Sequence, residues 1–190
     1  MLRGRIFLVT TSRQRRHHRG VSLIEVLIAI VIASIGLLAL AGVNTAAIRY
    51  TKMSQYRGTA TLLANDLGER MRANKAGAGA YVINSNFATQ AALPAVPASL
   101  CNTYGGVSCT AAEVAAADLY SWQVRVRDQL PSGSVYVAYQ NGQSAYDVWL
   151  VWRDPAVASD DLVASGAECP AALTVAADPS IRCSYFRINV

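Results

Sequence analysis

No histidine follows His18, and no proline occurs between Val21 and Leu93. The first absence takes the commonest general base and metal ligand out of everything beyond the N-terminal arm. The second leaves a long stretch with no obligate helix breaker. There is no CxxC pair, no P-loop, no HExxH and no G-x-S-x-G elbow. The hydrolase, nucleotide-binding and zinc-enzyme classes built on those parts are therefore excluded, and neither a catalytic residue, a cofactor nor a metal site is expected. Acid is missing too: the first twenty residues hold no Asp or Glu.

What that arm does hold is cation. Arg3, Arg5, Arg13, Arg15, Arg16 and Arg19 are six of the chain's 17 basic residues. His17 and His18 read as part of the same cationic arm. From Val21 onward eleven basic residues face twelve acidic ones, so the net charge of +5 belongs to the arm. The remaining cations are scattered rather than gathered on one face, which argues against a nucleic-acid partner. The four cysteines, Cys101, Cys109, Cys169 and Cys183, all lie in the second half of the chain. An even count at these spacings suits disulfides formed in an oxidising compartment. Three pairings are open. Proximity favours Cys101–Cys109 and Cys169–Cys183, each closing a short surface loop, and a fifteen-residue closure contributes about 3 kcal/mol in the chain-entropy model.

Hydrophobic residues make up 53% of the chain. They concentrate in Val21–Val43, apolar apart from Ser22, Glu25 and Ser34. Val26–Val43 alone would rise about 27 Å as a helix, close to the hydrocarbon thickness of a bilayer. The cationic arm places the N-terminus in the cytoplasm and the rest of the chain across the membrane. Three readings of this segment compete. A secretory signal peptide would use "ALAG", residues 39–42, as its cut site, but its apolar region would be unusually long and would carry an acid. A plain anchor explains the length and gives no reason for Glu25, since a lone charge costs up to about 3 kcal/mol at the bilayer centre. In the third reading the arm is cut off after Gly20, and the freed α-amine of Val21, with a pKa of about 8, is the partner of Glu25. Glycine suits the residue before such a cut because it brings no side-chain clash to a protease site. In a water-free helix bundle an ammonium and a carboxylate offset each other, and a buried pair of this kind fixes register.

"GVSLIEVLIA", residues 20–29, resembles the signal sequence of type IV prepilins and type II secretion pseudopilins. By position, the resemblance implies that Gly20 precedes the cut made by prepilin peptidase. Val21 becomes the methylated N-terminus, and Glu25 is the acid used in subunit assembly. Val21 stands where major pilins usually have Phe, which points to a minor subunit, and the twenty-residue leader is longer than many.

Beyond Val43 the pattern turns amphipathic. Met53, Tyr56, Ala60, Leu63, Leu67 and Met71 recur at helical steps. The spacing predicts one helix from about Ser22 to Lys75, near 80 Å long, with Gly77 and Gly79 as its C-terminal signals. Arg70 and Arg72 suit its C-terminal dipole and are placed to pair with Asp66 and Glu69 of a neighbour. Tyr81–Ser108 reads as loop. Thr110 and Glu113 form a capping box for a second helix running to about Leu130. "VYVAYQ" and "QSAYDVWLVWRD" flank Asn141-Gly142, a type I′ hairpin signal. The second run is apolar on both faces after Asp147, as in an internal strand. "SYFRINV" alternates as a final strand. Asp160-Asp161 lies in a polar loop without the further oxygen ligands that calcium would need. The expected fold is α+β: a long N-terminal helix packed on a small antiparallel sheet of three or four strands, an architecture that again resembles pilins. The expected organisation is leader 1–20, helix 21–75 (membrane or filament core over 21–43, amphipathic over 44–75) and head 76–190.

Within the pilins, "DLGERMRANKAGAGAY" and "AADLYSWQ" resemble the minor pilins called type IV pilus modification protein PilV. The resemblance implies a non-enzymatic chain held in the bacterial inner membrane by a single pass, with its head periplasmic, that reaches the pilus and cell surface. Its partners would be prepilin peptidase, other minor and major pilins and the inner-membrane assembly platform, and its role assembly priming, with adhesion by the head as a further expectation. A type II secretion pseudopilin shares the same N-terminus, and a secreted binding domain behind a signal peptide is the remaining alternative.

Overall fold

The computed structural model describes residues 22–101, 108–141, 144–155, 168–173, 175, 178 and 180–190. The elements in order are helix α1 (Leu23–Ala73), helix α2 (Ala111–Gln129) and strands β1 (Ser134–Gln140), β2 (Ala145–Arg153) and β3 (Ile181–Asn189), with short 3-10 turns between them. The chain divides into two compact units that meet between Thr45 and Ala46. The first unit's described part is the start of α1. Its hydroxyls are satisfied inside the helix: Ser34 Oγ donates to the Ile30 carbonyl at 2.7 Å, and Thr45 Oγ1 to the Ala41 carbonyl at 2.9 Å.

In the second unit α1 buries Ala60, Leu63, Leu67 and Met71 of the stripe expected from helical spacing, and Ala64 beside it, while Met53 and Tyr56 are half-buried. These side chains form one core with Trp122 and Val126 of α2 and with Val137, Val148, Leu150 and Trp152 of the sheet. The α2 helix starts where its sequence says it should. Thr110 Oγ1 accepts from the Glu113 backbone N–H at 3.2 Å, and Glu113 Oε2 accepts from the Thr110 backbone N–H at 2.7 Å, so two otherwise orphaned donors are satisfied at once.

The sheet has order β1-β2-β3 and both pairings are antiparallel. Register sets Val137 opposite Val148 and Val148 opposite Phe186, which gives the face toward α1 and α2 an apolar row from all three strands. β2 is the central strand and is buried along almost its whole length, as its two apolar faces require. On the other face Val151, Ile181 and Cys183 pack with Cys169 and Leu173 in a second cluster. The connection from β1 to β2 runs over four residues, with Gln140 paired to Ala145, rather than the two of a type I′ turn. Gly142 lies outside the described residues.

The disulfides join Cys101 to Cys109 and Cys169 to Cys183. The first closes a loop before α2. The second is not a surface staple, because both its cysteines lie within the second cluster.

Three further expectations are corrected. First, α1 ends at Ala73, and Gly77 and Gly79 fall in a 3-10 turn, Lys75–Ala80, beyond it. Gly77 is there because α2 comes close: a Cβ on it would collide with the Ala111 carbonyl oxygen and lie 2.5 Å from Asn74 Nδ2. Second, the stretch read as plain loop, Tyr81–Ser108, contains a 3-10 turn, Ala88–Ala91. It also guards the outer edge of β1. Ile83 forms a two-bond bridge with Val137, and the Gln90 side-chain amide donates to the Val135 carbonyl at 2.7 Å and accepts from the Val135 N–H at 2.9 Å. An amide side chain thus stands in for a neighbouring strand, one way to protect a sheet edge from unwanted pairing. Third, Arg70 and Arg72 are spent inside the chain, on Asp66 and Asp118 and on Glu69 respectively.

Candidate assembly site

From Ser22 to Thr45 every described side chain is exposed. Leu23 is 78% exposed and Leu38 74%. An 18-residue window here has a mean hydropathy of 2.9, long and apolar enough to cross a membrane, with none of it buried. An apolar surface this extensive is not left in water by a folded protein; it marks a membrane or protein contact. Glu25 stands in the first turn, its backbone N–H donating to the Ser22 carbonyl at 2.9 Å. The helix dipole favours an acid there. Among the described residues no cation lies within ion-pair distance of it. Gly20 and Val21 lie outside the described residues, as do His17, His18, Asp160 and Asp161.

The second unit carries a polar lock that sequence spacing did not reveal. Arg70 of α1 reaches Asp118 of α2 at 2.9 Å and Asp66 at 3.3 Å, and Arg125 reaches the same Asp66 at 3.0 Å. Tyr81, fully buried, donates its hydroxyl to Asp118 at 2.5 Å. Asn74 Nδ2 donates to the Ala111 carbonyl at 2.8 Å. Burial, reinforced by the bond to Asp118, pushes the Tyr81 hydroxyl up to about 12. The lock fixes the end of α1 against α2.

The far face of the sheet has a second polar centre. Asp147 accepts from Arg187 Nε at 2.8 Å, Tyr185 at 2.7 Å and Gln140 at 2.7 Å. The Arg187 guanidinium holds its carboxyl below the usual range, against the opposing effect of burial. Alongside run Tyr136, Trp149 and Tyr185, their ring centroids 5.7 and 5.1 Å apart. A groove of about 310 Å³ lies beside Gln90, Arg127 and Ser134. It holds no nucleophile–base pair, and Arg127 donates to the Gln90 and Ala91 carbonyls. Among the described residues no cluster of acids, cysteines or histidines could hold a metal ion.

A bare apolar helix that begins with an acid and continues into a disulfide-bonded α+β head is the architecture of a type IV pilin. Comparison with known families agrees: residues 15–41 match the prokaryotic N-terminal methylation motif, and residues 42–120 match the family described as type IV pilin Tt1218. The two matches abut, and together they cover α1 and the chain as far as the middle of α2. No curated protein and no solved structure matches the chain. The type IV pilin family is structural rather than enzymatic.

Proposed function

We propose that this chain is a minor pilin of a type IV pilus. Prepilin peptidase cuts it after Gly20 and Val21 becomes the methylated N-terminus. The segment 21–43 serves first as a single-pass inner-membrane anchor and then as a filament-core helix, with 44–75 joining it to the head, 76–190, on the periplasmic side. The observation that carries this reading is Glu25: an acid five residues after Gly20, at the start of a helix whose first two dozen residues are largely apolar and exposed, within the methylation motif. In a bundle of such helices an unpaired carboxylate is costly, and the freed amine of Val21 on a neighbouring subunit is the cation at the right level. The pairing fixes axial register as subunits add. The role is assembly priming with other pilins on the inner-membrane platform, as in the PilV-like minor pilins that "ERMRAN" resembles, and display of the head for adhesion.

Glu25→Ala tests the register role. The variant should still be cut and should be depleted from sheared pili. Normal piliation in that strain would overturn the role. A deletion strain separates the pilus from the secretion machine: lost pili with intact protein export supports this proposal, and lost export with intact pili assigns the chain to a type II secretion pseudopilus.

A further inference from the structure

Between Glu25 and Asp66 the chain has no acid, and its only cations there are Arg49, Lys52 and Arg57. All three lie between six and fourteen residues beyond Val43, where the apolar run ends. Arg49, Tyr50 and Lys52 are exposed, Tyr50 at 71%. Among the described residues, no acid lies within ion-pair distance of Arg49 or Lys52. Lys52 Nζ donates only to the uncharged Gln55 Oε1, at 3.3 Å. Arg57 has a long contact to Glu168, 3.7 Å.

We propose that the Arg49–Arg57 turns of α1 bind anionic lipid headgroups where the helix leaves the bilayer, an inference that rests on the membrane-anchor reading. The residue types fit that position. Long cationic side chains run their stems along apolar surface and lift their charges to the phosphates. Tyrosine belongs to the aromatic belt at the same depth. Charge complementarity selects the occupant. A second copy of this chain packed in register offers no acid over residues 26–65, whereas an anionic leaflet offers phosphate at every headgroup.

The leader gives the contact a purpose. Its six arginines outweigh these three cations and hold the N-terminus inside during insertion. After the cut at Gly20 they are gone, and the first basic side chains of the mature chain are Arg49 and Lys52. The headgroup contact then supplies the ionic hold that keeps the processed subunit at the interface until it is drawn into a filament.

The test uses the full processed chain in phosphatidylcholine vesicles with trace spin-labelled lipids, reading the motionally restricted fraction around the helix. Labelled phosphatidylglycerol should be enriched over labelled phosphatidylcholine by about fivefold, the weight of one surface cation, and high salt should remove the preference. R49Q/K52Q should bring the two lipids to equality. R49K/K52R, and Arg72→Gln farther along the helix, should keep the preference. Equal association in the wild type, or selectivity retained in R49Q/K52Q, would overturn the proposal. So would loss of R49Q/K52Q from pili without any lipid preference, which would assign the cations to an acid on another subunit. Failure of either lipid to become restricted would mean that the chain is not in the bilayer, and the anchor reading would fall with this one.

Discussion

Trp122 donates its indole N–H to the backbone carbonyl of Leu63 at 2.8 Å, with both residues inside the core. The bond ties α2 to the middle of a turn of α1, where the carbonyl already serves the helix. Trp122→Phe keeps most of the ring and loses the bond, so it should cost about 1 kcal/mol. Trp122→Ala also opens a cavity and should cost about 3–5 kcal/mol. Thermal melts of the detergent-solubilised chain, followed by near-UV circular dichroism, would read both. Equal losses from the two variants would show that the bond, not the packing, holds the helices together.

Gly77 and Gly79 make a matched pair. Gly77→Ala pushes a methyl into the Ala111 carbonyl and Asn74, whereas Gly79 faces open space. Gly77→Ala should therefore destabilise by about 1–3 kcal/mol, and Gly79→Ala should be neutral or stabilise by under about 1 kcal/mol. The same melts would check this, and a neutral Gly77→Ala would mean that α2 does not sit where it is placed here.

Two titrations carry opposite signs. The Tyr81 hydroxyl is raised to about 12 from about 10 in the unfolded chain. Its contribution is present below pH about 10 and is lost as pH rises toward 12. Tyr81→Phe should flatten stability in that alkaline window. Asp147 is lowered, chiefly by Arg187. Its contribution is present above the unfolded carboxylate value of about 3.9 and is lost as pH falls through the lower folded value. Asp147→Asn should flatten the acid side. Melting temperature against pH for the two variants reads both, and a crossed result would show that the groups had been assigned wrongly.

The two disulfides should not be equivalent. Chain entropy weights loops of 8 and 14 residues similarly, at about 3 kcal/mol. Cys169–Cys183 also pins a buried cluster around Val151, Leu173 and Ile181. The Cys169→Ser/Cys183→Ser variant should lose more stability than Cys101→Ser/Cys109→Ser. Its extra exposed apolar surface should also show in binding of an environment-sensitive dye, and equal dye binding would contradict the clustering.

Local rules carried the sequence reading a long way. The 3.6-residue recurrence of Ala60, Leu63, Leu67 and Met71 marks the buried stripe, and Thr110 with Glu113 marks the start of α2, because each signal lies within one or two turns of chain. The apolar run of β2 marks it as the central strand, since only such a strand is covered on both faces. What stayed hidden depends on which distant segments meet. Gln90 as a substitute strand needs the β1 edge beside it. Arg70 looked free for a neighbour because Asp118 is distant in sequence. Gly77 looked like a helix stop because the approach of α2 has no local signature. At the candidate site the position of Glu25 at the start of α1 was legible, since an acid in an apolar run is conspicuous by itself. The cations at Arg49 and Lys52 draw notice only once their exposure is known.

The state of the mature N-terminus tests the central claim most directly. Intact-mass and N-terminal sequencing of the chain recovered from its native membrane should find a single start at Val21 carrying an N-methyl group. A start at Gly42, which would remove Glu25, or an uncut Met1, which would leave Glu25 without its partner, would contradict the pilin reading.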